Sequence, residues 1–122
     1  MANYEITEVA RSWKHTPYKY GGDSNDGIDC SHFVWEVLKA SGHPSAPYVT
    51  TSAIRYSYAY AGLSGLPSNG DIILFDGHMG IVIDATNQIF IGAQSGGVDA
   101  ASYSRSSYWG KQKHDFYRYV GP

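Results

Sequence analysis

The single cysteine of this chain lies in Gly27-Ile28-Asp29-Cys30-Ser31-His32-Phe33, where a glycine-rich segment gives way to an amphipathic helical pattern. A helix start presents unpaired backbone N–H groups and the positive end of the helix dipole, and both favour a thiolate over a thiol. The spacing also puts a histidine, in Asp76-Gly77-His78-Met79-Gly80, at the mouth of a strand pattern. Cysteine as nucleophile and histidine as base form the minimal set for splitting an amide through an acyl-enzyme. On residue type alone, Cys30 is either such a nucleophile or an inert buried thiol, and His78 either a base or a satisfied polar side chain.

The elements that must carry these residues follow from periodicity. Ile6, Val9, Ala10 and Trp13 make one apolar stripe, so a first helix starts with Asn3 as its cap and ends before Pro17. Residues 16–27 are turn chemistry throughout and read as a loop. Asp29 suits the N-cap of a second helix with Cys30 in its first turn; Phe33, Val34, Val37 and Leu38 lie on the cysteine side, and Gly42 and Pro44 end it. Residues 45–70 suggest only a short helix around 51–61. Strand patterns follow at 71–75, 78–84, 88–93 and 115–120, with turn signals between them. Asp71 and Asp84 fall at strand ends and turns. Helices first and an antiparallel meander after define an α+β domain with the helices packed on one face of the sheet.

The 122 residues suit one domain, 1–122, with 43% hydrophobic and 16% charged residues indicating a folded core. A formal charge of −2 gives no reason to expect a nucleic-acid partner. One cysteine excludes an intrachain disulfide and a cysteine-based zinc cluster; His15, His43 and His114 lack ligand spacing, so neither metal nor other cofactor is expected. Eleven tyrosines and three tryptophans either pack or line a groove that stacks on substrate. No apolar run is long enough for a membrane span, and the residues after Met1 lack the pattern of a signal peptide. The chain is therefore expected to be cytoplasmic at synthesis.

Several segments, in order, resemble the NlpC/P60 family of papain-like cysteine peptidases of cell-wall peptides. Thr16-Pro17-Tyr18-Lys19-Tyr20-Gly21-Gly22 is similar to the family's Pro-Tyr-x-Trp-Gly-Gly loop, with Tyr20 for the tryptophan. Asp29-Cys30-Ser31 followed by Phe33-Val34 resembles its Asp-Cys-Ser-Gly-Leu-Val helix start, with His32 for the glycine. Asn69-Gly70-Asp71-Ile72 and His78-Met79-Gly80-Ile81-Val82 resemble its two central strands, and Ser95 to Val98 and Tyr108-Trp109 also have counterparts.

The resemblance implies the papain-like NlpC/P60 fold, Cys30 as nucleophile, His78 as general base and Tyr18 as a hydroxyl that helps hold the oxyanion. It implies that Asp29 and Ser31 receive the amino end of a peptidoglycan stem peptide, beside Tyr18; His32, standing where the family has glycine, either narrows that groove, donates a hydrogen bond to the substrate, or faces solvent. The implied activity is a cysteine endopeptidase or amidase of stem peptides, cutting the γ-D-glutamyl to diamino acid bond, with a catalytically silent wall-binding or assembly module as the alternative. Acyl transfer on lipids, found among permuted relatives, requires the opposite order of histidine and cysteine. The expected setting is the periplasm or cell wall, reached by a dedicated export route or lysis, as an antibacterial effector with a cognate inhibitor protein or as a phage lytic or tail component.

One departure concerns the base. The family's orienting residue, commonly histidine, falls at Gly92, which has no side chain. If Ala85-Thr86-Asn87 closes a three-residue hairpin loop, Asp84 faces Gln88, Gly80 faces Gly92, and His78 faces Gln94 on the same side of the sheet. A Gln94 carbonyl there accepts the imidazole N–H and fixes its tautomer. A register shift of one residue brings Ser95 instead, and a bare Cys/His dyad is the third option.

Overall fold

The computed structural model describes residues 2–122, with side chains from residue 5 onward. Helix α1 (Ala2–Ser12) is followed by a two-residue ladder of β1 (Asp23–Ser24) with β2 (Gly27–Ile28), then by α2 (Cys30–Ala40). Six further strands form one antiparallel sheet: β3 (Tyr60–Gly62), β4 (Ile72–Phe75), β5 (His78–Asp84), β6 (Ile89–Gln94), β7 (Gly97–Ser102) and β8 (His114–Tyr119). Their order across the sheet is β3-β8-β4-β5-β6-β7. The expected α+β class with helices against an antiparallel sheet is what the chain adopts.

Alternation along the central strands builds two cores. On one face Ile72, Leu74, Met79, Ile81, Ile91 and Ala93 pack with Phe33, Val34, Val37 and Leu38 of α2 and with Ile6 and Ala10 of α1. On the other, Ile73, Phe75, Val82, Phe90 and Tyr103 are covered by Trp109 and Phe116. His78 and Gln94 have the parity of this second face. The buried Asp71 carboxylate ties the start of β4 to β8, taking both prongs of Arg118 at 2.8 and 2.9 Å and the Ser68 N–H at 2.7 Å.

Several sequence expectations need correction. Helix α1 already runs at Ala2, so Asn3 lies within it, and its side chain is outside the described residues. Trp13 follows the helix yet still packs edge-on against Phe33. The short helix expected near 51–61 is a single 3-10 turn, Ile54–Tyr56, followed by β3, an edge strand fixed by pairing to β8. The 16–27 segment contains the β1–β2 ladder, and β7 was not anticipated. The β5–β6 loop is one residue longer than three: Gln88 takes a left-handed φ of +59°, and a bulge pairs Asp84 with Ile89. Beyond the bulge the expected register holds, with Ile81 opposite Ile91 and Val82 opposite Phe90.

Candidate active site

Cys30 opens α2 because Asp29 caps it: an Asp29 carboxylate oxygen, Oδ1, accepts the His32 N–H at 2.8 Å, and residue 29 is extended. The half-buried thiol is therefore held at a helix start, as expected from sequence. Around the sulfur the helix-start donors act as expected, but burial opposes them. Burial pushes the Cys30 thiol above its ordinary range and the Asp29 carboxylate adds to this, while backbone N–H groups of Met79, Ser31 and Cys30 pull the other way. Desolvation by the surrounding protein thus outweighs the local helix end.

Met79 follows His78 at the start of β5, so the backbone that faces the sulfur also carries the imidazole. His78 Nε2 lies 3.1 Å from Gln94 Oε1. The Gln94 amide nitrogen donates to Asp99 O at 2.8 Å, which fixes the flip and leaves the carbonyl oxygen toward the ring. His78 Nε2 must then carry the proton, and Nδ1 keeps a lone pair. Of the three alternatives for this position, the Gln94 contact is the one formed. Gly92 makes room for it: a Cβ there would lie 2.6 Å from Gln94 Oε1 and 3.4 Å from His78 Nε2.

Tyr18 is positioned by backbone bonds on both sides. Thr16 O accepts from Val98 N at 2.8 Å, Pro17 O accepts from Ile28 N at 3.0 Å, and Lys19 N donates to Ile28 O at 3.2 Å. Its phenol is pushed up by burial and by the nearby Cys30 and Asp29 charges. Tyr18, His78, Gln94, Ser95, Tyr108 and Trp109 line a cleft of about 590 Å³. A cavity of similar size, about 610 Å³, lies elsewhere among Tyr103, Arg105, His114 and Phe116, and neither Cys30 nor His78 lines it.

Around the cap the side chains form a network. Asp29 Oδ1 also lies 2.8 Å from His32 Nδ1 and accepts from Ser31 Oγ at 3.2 Å, and Oδ2 accepts from Gly21 N at 3.1 Å. Ser31 Oγ and Tyr48 OH are 2.7 Å apart, and the Tyr48 ring stacks on His32 at 4.3 Å. Asp29, Ser31 and His32 are thus together beside Cys30, joined by Tyr48, which sequence reasoning missed because it sits in the irregular 45–53 stretch. Trp109, singled out only by resemblance, stacks on His78. Among the described residues no group of three or more His, Cys, Asp or Glu side chains could hold a metal ion, and no helix is long and apolar enough to cross a membrane.

The burial of His78 lowers its basicity, although the Gln94 bond raises it. With the thiol shifted up and the imidazole down, the resting pair at neutral pH is thiol and neutral imidazole. The consequence is measurable: alkylation of Cys30 by iodoacetamide is slow at neutral pH and accelerates only on the alkaline side of the ordinary thiol range. A rate already at its plateau at about pH 6 would instead reveal a stored thiolate.

The NlpC/P60 family model matches residues 15–118. The chain is 37% identical over 111 residues to the probable peptidoglycan endopeptidase LytE of Bacillus subtilis, covering 86% of this chain and 31% of LytE. It is 30% identical over 112 residues to the probable endopeptidase NlpC of Escherichia coli, covering 87% and 71%. To the murein DD-endopeptidase and LD-carboxypeptidase MepS of Escherichia coli it is 32% identical over 118 residues, covering 90% and 59%. The chain therefore spans less than a third of LytE and under two thirds of MepS. In fold it is similar to the NlpC/p60 domain of the peptidoglycan hydrolase SagA, with TM-score 0.71 and 22% identity over 93% of this chain and 96% of that one. It is also similar to an NLP/P60 lipoprotein-like structure from Staphylococcus aureus, with TM-score 0.76 and 23% identity over 99% and 42%.

Proposed function

The chain belongs to the NlpC/P60 family, and on that footing we propose that it is a cysteine endopeptidase or amidase that hydrolyses an amide bond in peptidoglycan stem peptides, with the γ-D-glutamyl to diamino acid bond as its target. The observation that carries this reading is the His78–Gln94 contact on the strand whose next residue faces the Cys30 sulfur. It gives the base a defined tautomer where the family's orienting residue is absent.

In the proposed reaction Cys30 Sγ attacks the amide carbonyl as its proton passes to His78 Nδ1. The backbone N–H of Cys30 and the hydroxyl of Tyr18 hold the oxyanion. Collapse breaks the C–N bond, and the imidazolium returns its proton to the leaving amine. Water, deprotonated by His78, then cleaves the thioester and regenerates the thiol. In this reading Asp29, Ser31 and His32, with Tyr18, receive the amino end of the stem peptide.

Mass spectrometry of purified muropeptides before and after digestion tests the reading and names the bond. New fragments ending at γ-D-glutamate support it, and no cleavage by the native chain returns the molecule to the alternative, a silent wall-binding module. Because the substrate lies in the wall, we also propose action in the periplasm or cell wall, as an antibacterial effector with a cognate inhibitor or as a phage lytic component. Expression directed to the periplasm should then lyse the host, and harmless accumulation there would remove this setting.

A further inference from the structure

We propose that Trp109 is a positioning residue for the general base: its indole face holds the His78 ring and stabilises the imidazolium that forms during turnover. This rests on the assignment of His78 as the base. The two rings are stacked, with centroids 4.8 Å apart and planes inclined by 23°. Phe75, opposite His78 in the β4–β5 hairpin, packs against the same indole at 4.8 Å. Phe90 meets the indole edge-on at 5.8 Å. The imidazole is therefore gripped by a ring face as well as by the single hydrogen bond to Gln94.

The loop that delivers Trp109 is fixed from below. Ser107 Oγ sits 2.7 Å from Ser104 O and 3.0 Å from Ser102 O and accepts from Gly110 N at 2.9 Å. A side chain at Gly110 would collide with the Ser104 carbonyl, so the chain can pass here only as glycine.

The chemistry gives that face a task. Gln94 orients His78 but is neutral, and no carboxylate is within ion-pair distance of His78 among the described residues. The titratable groups on the surrounding elements are Cys30 on α2, Tyr18 in the preceding loop, Tyr108 beside the indole, Asp76 in the turn before β5 and His114 beyond Phe75 on β8. A proton taken up by His78 thus creates a cation in a largely desolvated place with no carboxylate paired to it. A ring cation within about 6 Å of an indole centroid is attracted by the π face, tryptophan gives the strongest such attraction, and desolvation strengthens it.

The test separates the π face from mere cover. Trp109→Leu keeps an apolar lid without the ring, and Trp109→Phe keeps a weaker ring. The titration midpoint of His78, read by NMR of the labelled imidazole, is expected to fall by about one pH unit in the Leu variant. The Phe variant should lie between Leu and native. Hydrolysis should lose about tenfold in kcat in the Leu variant, with KM nearly unchanged. An unchanged or raised midpoint overturns the proposal, as does a loss confined to KM, which would make the indole a substrate contact. Should the Leu variant not fold, the Phe midpoint decides by the same criterion. The titration needs no substrate, so a native chain that cleaves no muropeptide would remove the proposed function without deciding the role of Trp109.

Discussion

Cys30→Ala is expected to lower the kcat/KM of stem-peptide hydrolysis by at least about 10⁴-fold while leaving the fold intact. The side chain lost is the only thiol in the chain. The groups left behind, the backbone N–H of residue 30, Tyr18 and His78, can bind a carbonyl and move a proton but cannot form the acyl intermediate. The fold should tolerate the change because the Asp29 cap bonds the His32 N–H rather than residue 30, and alanine is a strong helix former. Circular dichroism with a quantified muropeptide digest measures both halves. Activity within about a hundredfold of native would mean that another nucleophile, or water alone, performs the reaction.

Gln94→Leu should cost about 10²-fold in kcat with little change in KM, because it removes the acceptor that holds the proton on His78 Nε2. Without that acceptor the ring can carry its proton on Nδ1, and in that tautomer it cannot take one from sulfur. Gln94→Glu keeps an acceptor in place and should retain most activity. A complementary variant, Gly92→His, restores the residue type common in the family, yet its Cβ alone would crowd the Gln94 carbonyl at 2.6 Å. In this background it should lower activity. Native kcat in the Leu variant would leave a bare Cys/His dyad as the machinery.

The parts of this site that could be read in the sequence are those set by local rules. Asp29 before an apolar helical pattern identifies a cap, and strand parity between His78 and Gln94 predicts their contact from residue counting. That count survived an error in the loop: the extra residue is absorbed by the bulge at Asp84 and the left-handed Gln88, both on the far side of the register that matters. What could not be read is set by tertiary partners. Strand β7, Gly-Val-Asp-Ala-Ala-Ser, has little intrinsic strand character and exists through its pairing with β6. Strand β3 is likewise created by β8. The environment of Cys30 divides the same way, since a helix end is visible in sequence and the burial that opposes it is not.

Gly92 and Gln94 also bear on how such chains diverge. Two residues apart on one strand, they share a face, and the space one leaves empty is the space the other occupies. The two positions are therefore coupled: a side chain at 92 would take the place of the Gln94 carbonyl. A comparison that scores position 92 by itself would file this chain among degenerate homologues. The heritable unit is the pair.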